Sequence, residues 1–220
     1  MAPETLADLP YAASLSPHQG PLAADTDYDG VHFDGLDLAA PRGAGSRFME
    51  CAVTKVTVQD GRFRLARFND VWLSDVRLTA TELTETAWTD AVWSGCVAAG
   101  VTMDAAELRR VTFRNCKLDG VNLRSATLID VTFADCLLRD VDFGAATLRR
   151  GTFPGSQLRA ADFSNVTLEQ VDLRGAELGL IITPGALRGA TITPGQLAEL
   201  APVLAEHAGI QVAGPAEPRA

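Results

Sequence analysis

The chain has 220 residues, with 28 Asp+Glu against 19 Lys+Arg and a net charge of −9. An acidic balance of this size repels phosphate and argues against direct nucleic-acid binding. No run of about 20 apolar residues occurs, which argues against a membrane-spanning helix, and the N-terminal MAPETLADLP has neither the basic start nor the apolar stretch of a secretory signal.

Residues 1–25 are rich in Ala and Pro and weakly patterned, and they are expected to form an irregular lead-in that covers whatever follows. DTDYDG, Asp25–Gly30, has the opening of a calcium loop, with carboxylates at alternating places and then Gly. The twelfth place of that loop holds Leu36 instead of the bidentate Glu, so a turn-rich start of the repeat region is the better reading.

From Tyr28 a period of five takes over. Tyr28, Phe33 and Leu38 begin it, and Phe48 to Phe68, Leu73 to Trp93 and Leu108 to Leu178 continue it. All nine Phe fall in this one phase, an outcome with odds of roughly one in two million if they were placed at random. Every fifth residue scatters around an α-helix, and an odd period throws alternate residues to opposite faces of a flat strand. The chain must therefore bend once per five, returning the third residue to a shared interior, as in a solenoid. The first place, occupied by residues such as Val56, Ala66, Val101 and Ala126, points inward with the third by the alternation of a short strand. The other three places carry the polar residues. Gly43, inside PRGAG (Pro41–Gly45), is the slot that fails and reads as a loop or a coil defect.

Cys51, Cys96, Cys116 and Cys136 all occupy the small inward first place without a C-x-x-C pair, so they read as buried free thiols of a reducing compartment. Trp88 and Trp93 are oversized for their slots, and Ala98 in the next slot reads as volume compensation. A pocket at the two Trp is the competing reading.

After Leu178 the phase dissolves. Thr193-Pro194 reads as a helix start, with Thr as N-cap and Pro at the first position. Leu197, Leu200, Val203 and Leu204 give an apolar stripe, Pro202 is expected to kink the helix, and Gly209 to end it. The stripe suits a cap on the last coil, and also a homodimer contact. The expected organisation is a lead-in at 1–25, repeats at 26–180, and a helical cap and tail at 181–220.

The units fit the consensus A-[DN]-[LF]-x-x, and over about residues 26–180 the chain resembles the pentapeptide repeat proteins. The resemblance implies an all-β solenoid: a right-handed quadrilateral β-helix with four pentapeptides per coil and a small C-terminal α-helical cap. With 31 slots from Tyr28 to Leu178, it implies nearly eight coils and a tube about 37 Å long. Residues twenty apart then stack, placing Phe113, Phe133 and Phe153 in one interior column and Cys96, Cys116 and Cys136 in a ladder.

Chemistry-bearing motifs are missing. His18, His32 and His207 are dispersed, and no nucleophile elbow, H-E-x-x-H or phosphate loop occurs. No cofactor, metal or catalytic residue is assigned, and the expectation is a cytoplasmic, non-enzymatic interaction protein. Most outward columns mix charge signs. The exception centres on Leu83, Met103, Leu123, Phe143 and Phe163 and carries Glu82, Glu85, Asp104, Asp142 and Asp162 against Arg124. Some members of the family resembled are DNA mimics that occupy the DNA-binding saddle of gyrase and topoisomerase IV and give quinolone resistance. The resemblance thus implies those enzymes as a protein partner and the acidic column as its contact, although this surface has mixed signs and no long loop projects after Phe48. The alternative readings are a small-molecule-binding or sequestering self-resistance protein, using an apolar spot around Trp72, Val92 and Val97, and a structural scaffold.

Overall fold

The computed structural model describes residues 3–18 and 20–213. The chain winds into a four-sided parallel β-solenoid of about eight coils followed by one helix. Three sides are sheets of stacked three-residue strands. The first runs from Asp27–Asp29 to Thr167–Glu169, the second from Val31–Asp34 to Thr132–Ala134, and the third from Asp37–Ala39 to Glu177–Ile182. The fourth side is narrower and is joined by single bridges from Arg42 through Arg62, Glu82, Thr102, Asn122 and Asp142 to Asp162. Partners on each side stand twenty residues apart, as in Trp93 opposite Phe113 and Leu118 opposite Leu138.

The bend that the period demands is made by the fifth residue of each unit. Every multiple of five from Asp25 to Gly175 has a positive φ, between 47° and 84°. These corners turn the chain from side to side, and from Asp25 to Gly155 the N–H of each bonds the coil ahead: Glu50 N donates to Asn69 O at 3.0 Å, and Gly100 N to Asp119 O at 2.9 Å. Inside, the third residues stack. Phe113, Phe133 and Phe153 form one column with near-parallel rings 4.8 and 5.0 Å apart. Tyr28, Phe48, Phe68 and Trp88 form another on the adjoining side. The aromatic run crosses between sides where Trp88 meets Trp93 at 5.2 Å, and Ala98 next to them is buried, as volume compensation requires.

PRGAG is neither loop nor defect. Pro41 points inward in the first place, Arg42 bridges Arg62, and Gly45 makes the corner. Gly43 N donates to Arg62 O at 2.8 Å, and a side chain there would collide with the Phe63 ring, which leans across the vacant slot. Phase is lost at the other end for a different reason. Glu177–Ile182 pairs with Gln157–Phe163 through a bulge that skips the corner Ala160, so the spacing drops from twenty to nineteen. The wall nevertheless continues to Thr191, which lies opposite Asp172.

The N-terminal segment does more than cover the first coil. Ser16–Pro17 adds a strand to the open edge at Val31, while Leu9 and Tyr11 lie along the second side on the outward residues Ala52, Trp72 and Val92. Tyr11 donates its hydroxyl to Asp70 O at 2.6 Å. At the far end the helix spans Pro194–His207 and continues through Pro202. Thr193 and Gln196 form a reciprocal capping box. Gly209 N and Ile210 N close the helix on Glu206 O and Ala205 O in a Schellman pattern. Gln196 also welds helix to tube, since its Nε2 donates to Leu173 O at 2.7 Å and Ala176 O at 2.8 Å. Of the tail beyond the helix, residues 214–220 lie outside the described residues.

Leu65 sits at a corner with φ 62° and is 48% exposed, so its side chain contributes little packing in return for a conformation that disfavours a bulky residue. Leu65→Asn is expected to raise stability by about 0.5–1 kcal/mol, because Asn tolerates the left-handed region better. Chemical denaturation would show it, and an unchanged or lowered midpoint would contradict the account of the corners.

Candidate functional site

The five acidic residues singled out in the sequence do share a side. Glu82, Asp142 and Asp162 are rungs of the bridged fourth side, Asp104 lies two residues beyond the rung Thr102, and Glu85 is the corner above Glu82. Four of them are half-buried and Glu85 is exposed. Their carboxylates are not equivalent. Asp142 and Asp162 each accept a backbone N–H two residues on, from Gly144 and Ser164, both at 2.7 Å. These bonds fix the turn into the next corner, and Asn122 does the same for Arg124 N at 2.9 Å on the same column. Asp142 also accepts from Arg124 at 3.1 Å, and Glu85 from Arg64 at 2.6 Å. The carboxylates of Glu82 and Asp104 have no hydrogen bond or ion pair among the described residues. Further back the same bridged column begins with Arg42 and Arg62. The side is therefore bipolar, a feature that the loop-like composition of PRGAG conceals in the sequence.

The mixed columns are laced by ion pairs between neighbouring coils. Arg110 grips Asp90 with two bonds of 2.6 and 2.8 Å, and Arg150 grips Asp130 in the same way. The two guanidinium groups hold these carboxyls below the usual carboxylate range. Such exposed pairs add little individually. Their consequence is that the charges of those columns face each other rather than a partner.

The apolar spot around Trp72, Val92 and Val97 is not an open binding surface. Trp72 is 4% exposed and Val92 9%, because Leu9 and Tyr11 cover them; Val97, on the next side, is half-buried. The signal that could have found this contact is the outward second place, where Ala52, Trp72 and Val92, twenty apart, stack as an apolar run in one column. Of the cap stripe, Leu200 is buried and Val203 and Leu204 pack against the core, while Leu197 is 50% exposed. Gln196, the residue that anchors the helix, gave no signal beyond its capping position.

Among the described residues no group of three or more His, Cys, Asp or Glu is placed to hold a metal, the start DTDYDG included, and no helix is long and apolar enough to cross a membrane. His32 bonds Thr54 at 2.8 Å and His18 stacks on Phe33, so these two histidines serve the first coil and its cover. All four Cys are unpaired and buried. Burial pushes the Cys51 thiol up to about 11. In the ladder, each thiol donates to the carbonyl two residues back, Cys96 to Ser94 O, Cys116 to Arg114 O and Cys136 to Ala134 O, and the neighbouring Cys116 and then burial push Cys96 and Cys136 up as well.

Residues 106–181 match the sequence model of the pentapeptide repeat region. No curated protein matches the chain. Among solved structures, a trypsin-treated form of QnrB1, a plasmid-mediated fluoroquinolone resistance protein, is 18% identical over 91% of this chain and 98% of its own, with a TM-score of 0.43. HetL, a pentapeptide repeat protein involved in heterocyst differentiation regulation in the cyanobacterium Nostoc, is 18% identical over 78% of this chain and 91% of its own, with a TM-score of 0.30.

A thiol enclosed in the core, with no cation beside it, is out of a reagent's reach and has nothing to activate it. All four Cys are therefore expected to resist a thiol reagent in the native protein and to react together on unfolding, as mass spectrometry would record. Rapid labelling of Cys116 in the folded state, or a disulfide within the ladder, would overturn their assignment as core fillers.

Proposed function

Because this chain is a pentapeptide repeat protein, with one five-residue unit forming each side of its tube, we propose that it is a non-enzymatic interaction protein that presents its rigid fourth side to a protein partner. In its most concrete form the partner is DNA gyrase or topoisomerase IV, the tube acts as a DNA mimic, and the outcome is protection from quinolones or regulation of the topoisomerase. The observation that carries the reading is the fixed placement of Glu82, Asp104, Asp142 and Asp162 along one bridged side, two of them locked by backbone hydrogen bonds. Carboxylates held at coil spacing, about 4.8 Å per rung, offer a cationic groove a preformed row of charge without an ordering cost. The covered state of Trp72 removes the surface on which a small-molecule-binding reading depended.

Purified protein is expected to slow gyrase supercoiling at micromolar concentration, to compete with DNA, and to lose the effect as salt rises, since exposed charges are screened within about 10 Å at 0.1 M. Replacing Glu82 and Glu85 by Gln, and Asp104, Asp142 and Asp162 by Asn, should abolish inhibition while the tube stays folded. Asn keeps the turn-closing acceptor, as Asn122 already does. The control set is Asp70, Asp90 and Asp130 with Arg109 and Arg149. Gyrase that ignores the wild type, or equal behaviour of the two sets, would refute the mimic.

The reading extends to end-to-end pairing of two chains through the cap, where Leu197 is the apolar residue still exposed from its stripe. Light scattering should then report a dimer that Leu197→Glu converts to monomer. A wild-type monomer at high concentration would leave the helix as a cap alone.

A further inference from the structure

The interior of the tube is not uniformly filled. From Leu108 to Phe163 every third place is Leu or Phe, and these side chains are almost completely buried. In the first coils the equivalent places include Gly43, Val53 and Val58, and the first place at residue 61 is Gly. Phe63 leans over Gly43, so one ring is spread across two slots. The result is an axial cavity of about 70 Å³, lined by Leu22, Phe33, Phe48, Val53, Val58 and Phe63 and continuing toward Trp88. Trp93 is not among its walls, so it is distinct from the pocket at paired Trp that the sequence suggested as an alternative. The one polar residue in the lining is Thr81, and its hydroxyl is already bonded to Thr79 O at 3.1 Å.

A buried water needs two to four polar partners, which this lining does not offer, and apolar cavities of comparable character stay dry and take up apolar guests. We propose that the N-terminal half of the tube is a binding site for small apolar molecules, of the size of xenon or a hydrocarbon of a few carbons. Benzene is excluded by size, since the engineered cavity known to accept it is about 150 Å³. Recognition is by shape and dispersion alone: the guest touches Val53, Val58 and the Phe48 and Phe63 rings, and so supplies the dispersion attraction that the empty coil forgoes. Phe63, Thr81 and Leu83 reach the cavity from the inner face of the fourth side, but the guest touches none of the outward carboxylates, and the gyrase assay does not bear on it.

Crystals of the full chain pressurised with xenon test the proposal, with xenon-129 chemical shift titration in solution as a second readout. One anomalous peak is expected inside the tube between Phe48, Val53 and Val58, with an upward shift in melting midpoint under xenon. Val58→Leu should abolish both effects while leaving the xenon-free midpoint equal to or above that of wild type. Val53→Leu, checked by circular dichroism, serves the same purpose should the first variant fail to fold. No interior peak in the wild type, a peak elsewhere, or undiminished xenon binding in a folded cavity-filled variant would overturn the proposal.

Discussion

The structure depends on one backbone event repeated at every multiple of five from 25 to 175: a single residue in the left-handed region. An L-residue there is under steric pressure, at about 1–3 kcal/mol where the surroundings must hold it. Gly relieves that pressure at only eight of the corners; Asp, Ala, Arg, Glu and others occupy the rest. What holds them is the ladder. From residue 25 to 155 each corner donates its N–H to the coil ahead, and the third residues stack beneath the wall that the corners join. The strain is thereby distributed along the tube rather than concentrated at a site. The same geometry makes the outward residues rigid, because a side only three residues long between two fixed corners has little freedom to move.

This explains what was legible in the sequence. Inward places are a chemical category, so their period stands out: nine Phe in one phase define the interior before any coordinate is known. Corners are a conformational category without a shared chemistry. Leu65, Arg110 and Gln170 do the same backbone work, and nothing in their composition announces it. PRGAG misled for the complementary reason. Pro and Gly are the usual marks of a loop, yet here Pro41 fills an inward place and Gly45 a corner, and only the Gly43 slot is empty. The cover over Trp72 was obscure because it is a single contact between unrelated segments, with no repetition to amplify it. Gln196 was obscure because its partners, the carbonyls of Leu173 and Ala176, carry no side-chain signature at all.

The acidic column shows a similar division. Its membership follows from arithmetic on residue numbers, but the state of each carboxylate depends on neighbours one coil away. Arg64 reaches Glu85 across twenty-one positions and Arg124 reaches Asp142 across eighteen, offsets set by side-chain reach rather than by the repeat. A net count of acids therefore overstates the charge available to a partner. Asp142 and Asp162 commit acceptor capacity to the backbone, so they shape the turn as well as contributing charge. The surface is best described as a fixed pattern of charge with an arginine end and a carboxylate end, which makes register along the rod a determinant of recognition.

The two halves of the tube solve the packing problem differently. From Leu108 onward the core is filled from within by Leu and Phe at every third place, and Gln196 fastens a helix to the end. In the first coils the interior is under-filled. There the covering segment lies outside on Ala52, Trp72 and Val92, whose neighbours Val53 and Leu73 face the cavity. In a solenoid each coil is stabilised chiefly by its immediate neighbours, so a loose stretch is not rescued by good packing farther along. A segment laid lengthwise across three coils supplies the missing coupling from outside: Tyr11 bonds the backbone at Asp70 and also packs with the outward residues of those coils. The N-terminal segment and the interior void are on this view two parts of one arrangement, in which packing on the outer face of the wall offsets the void within it.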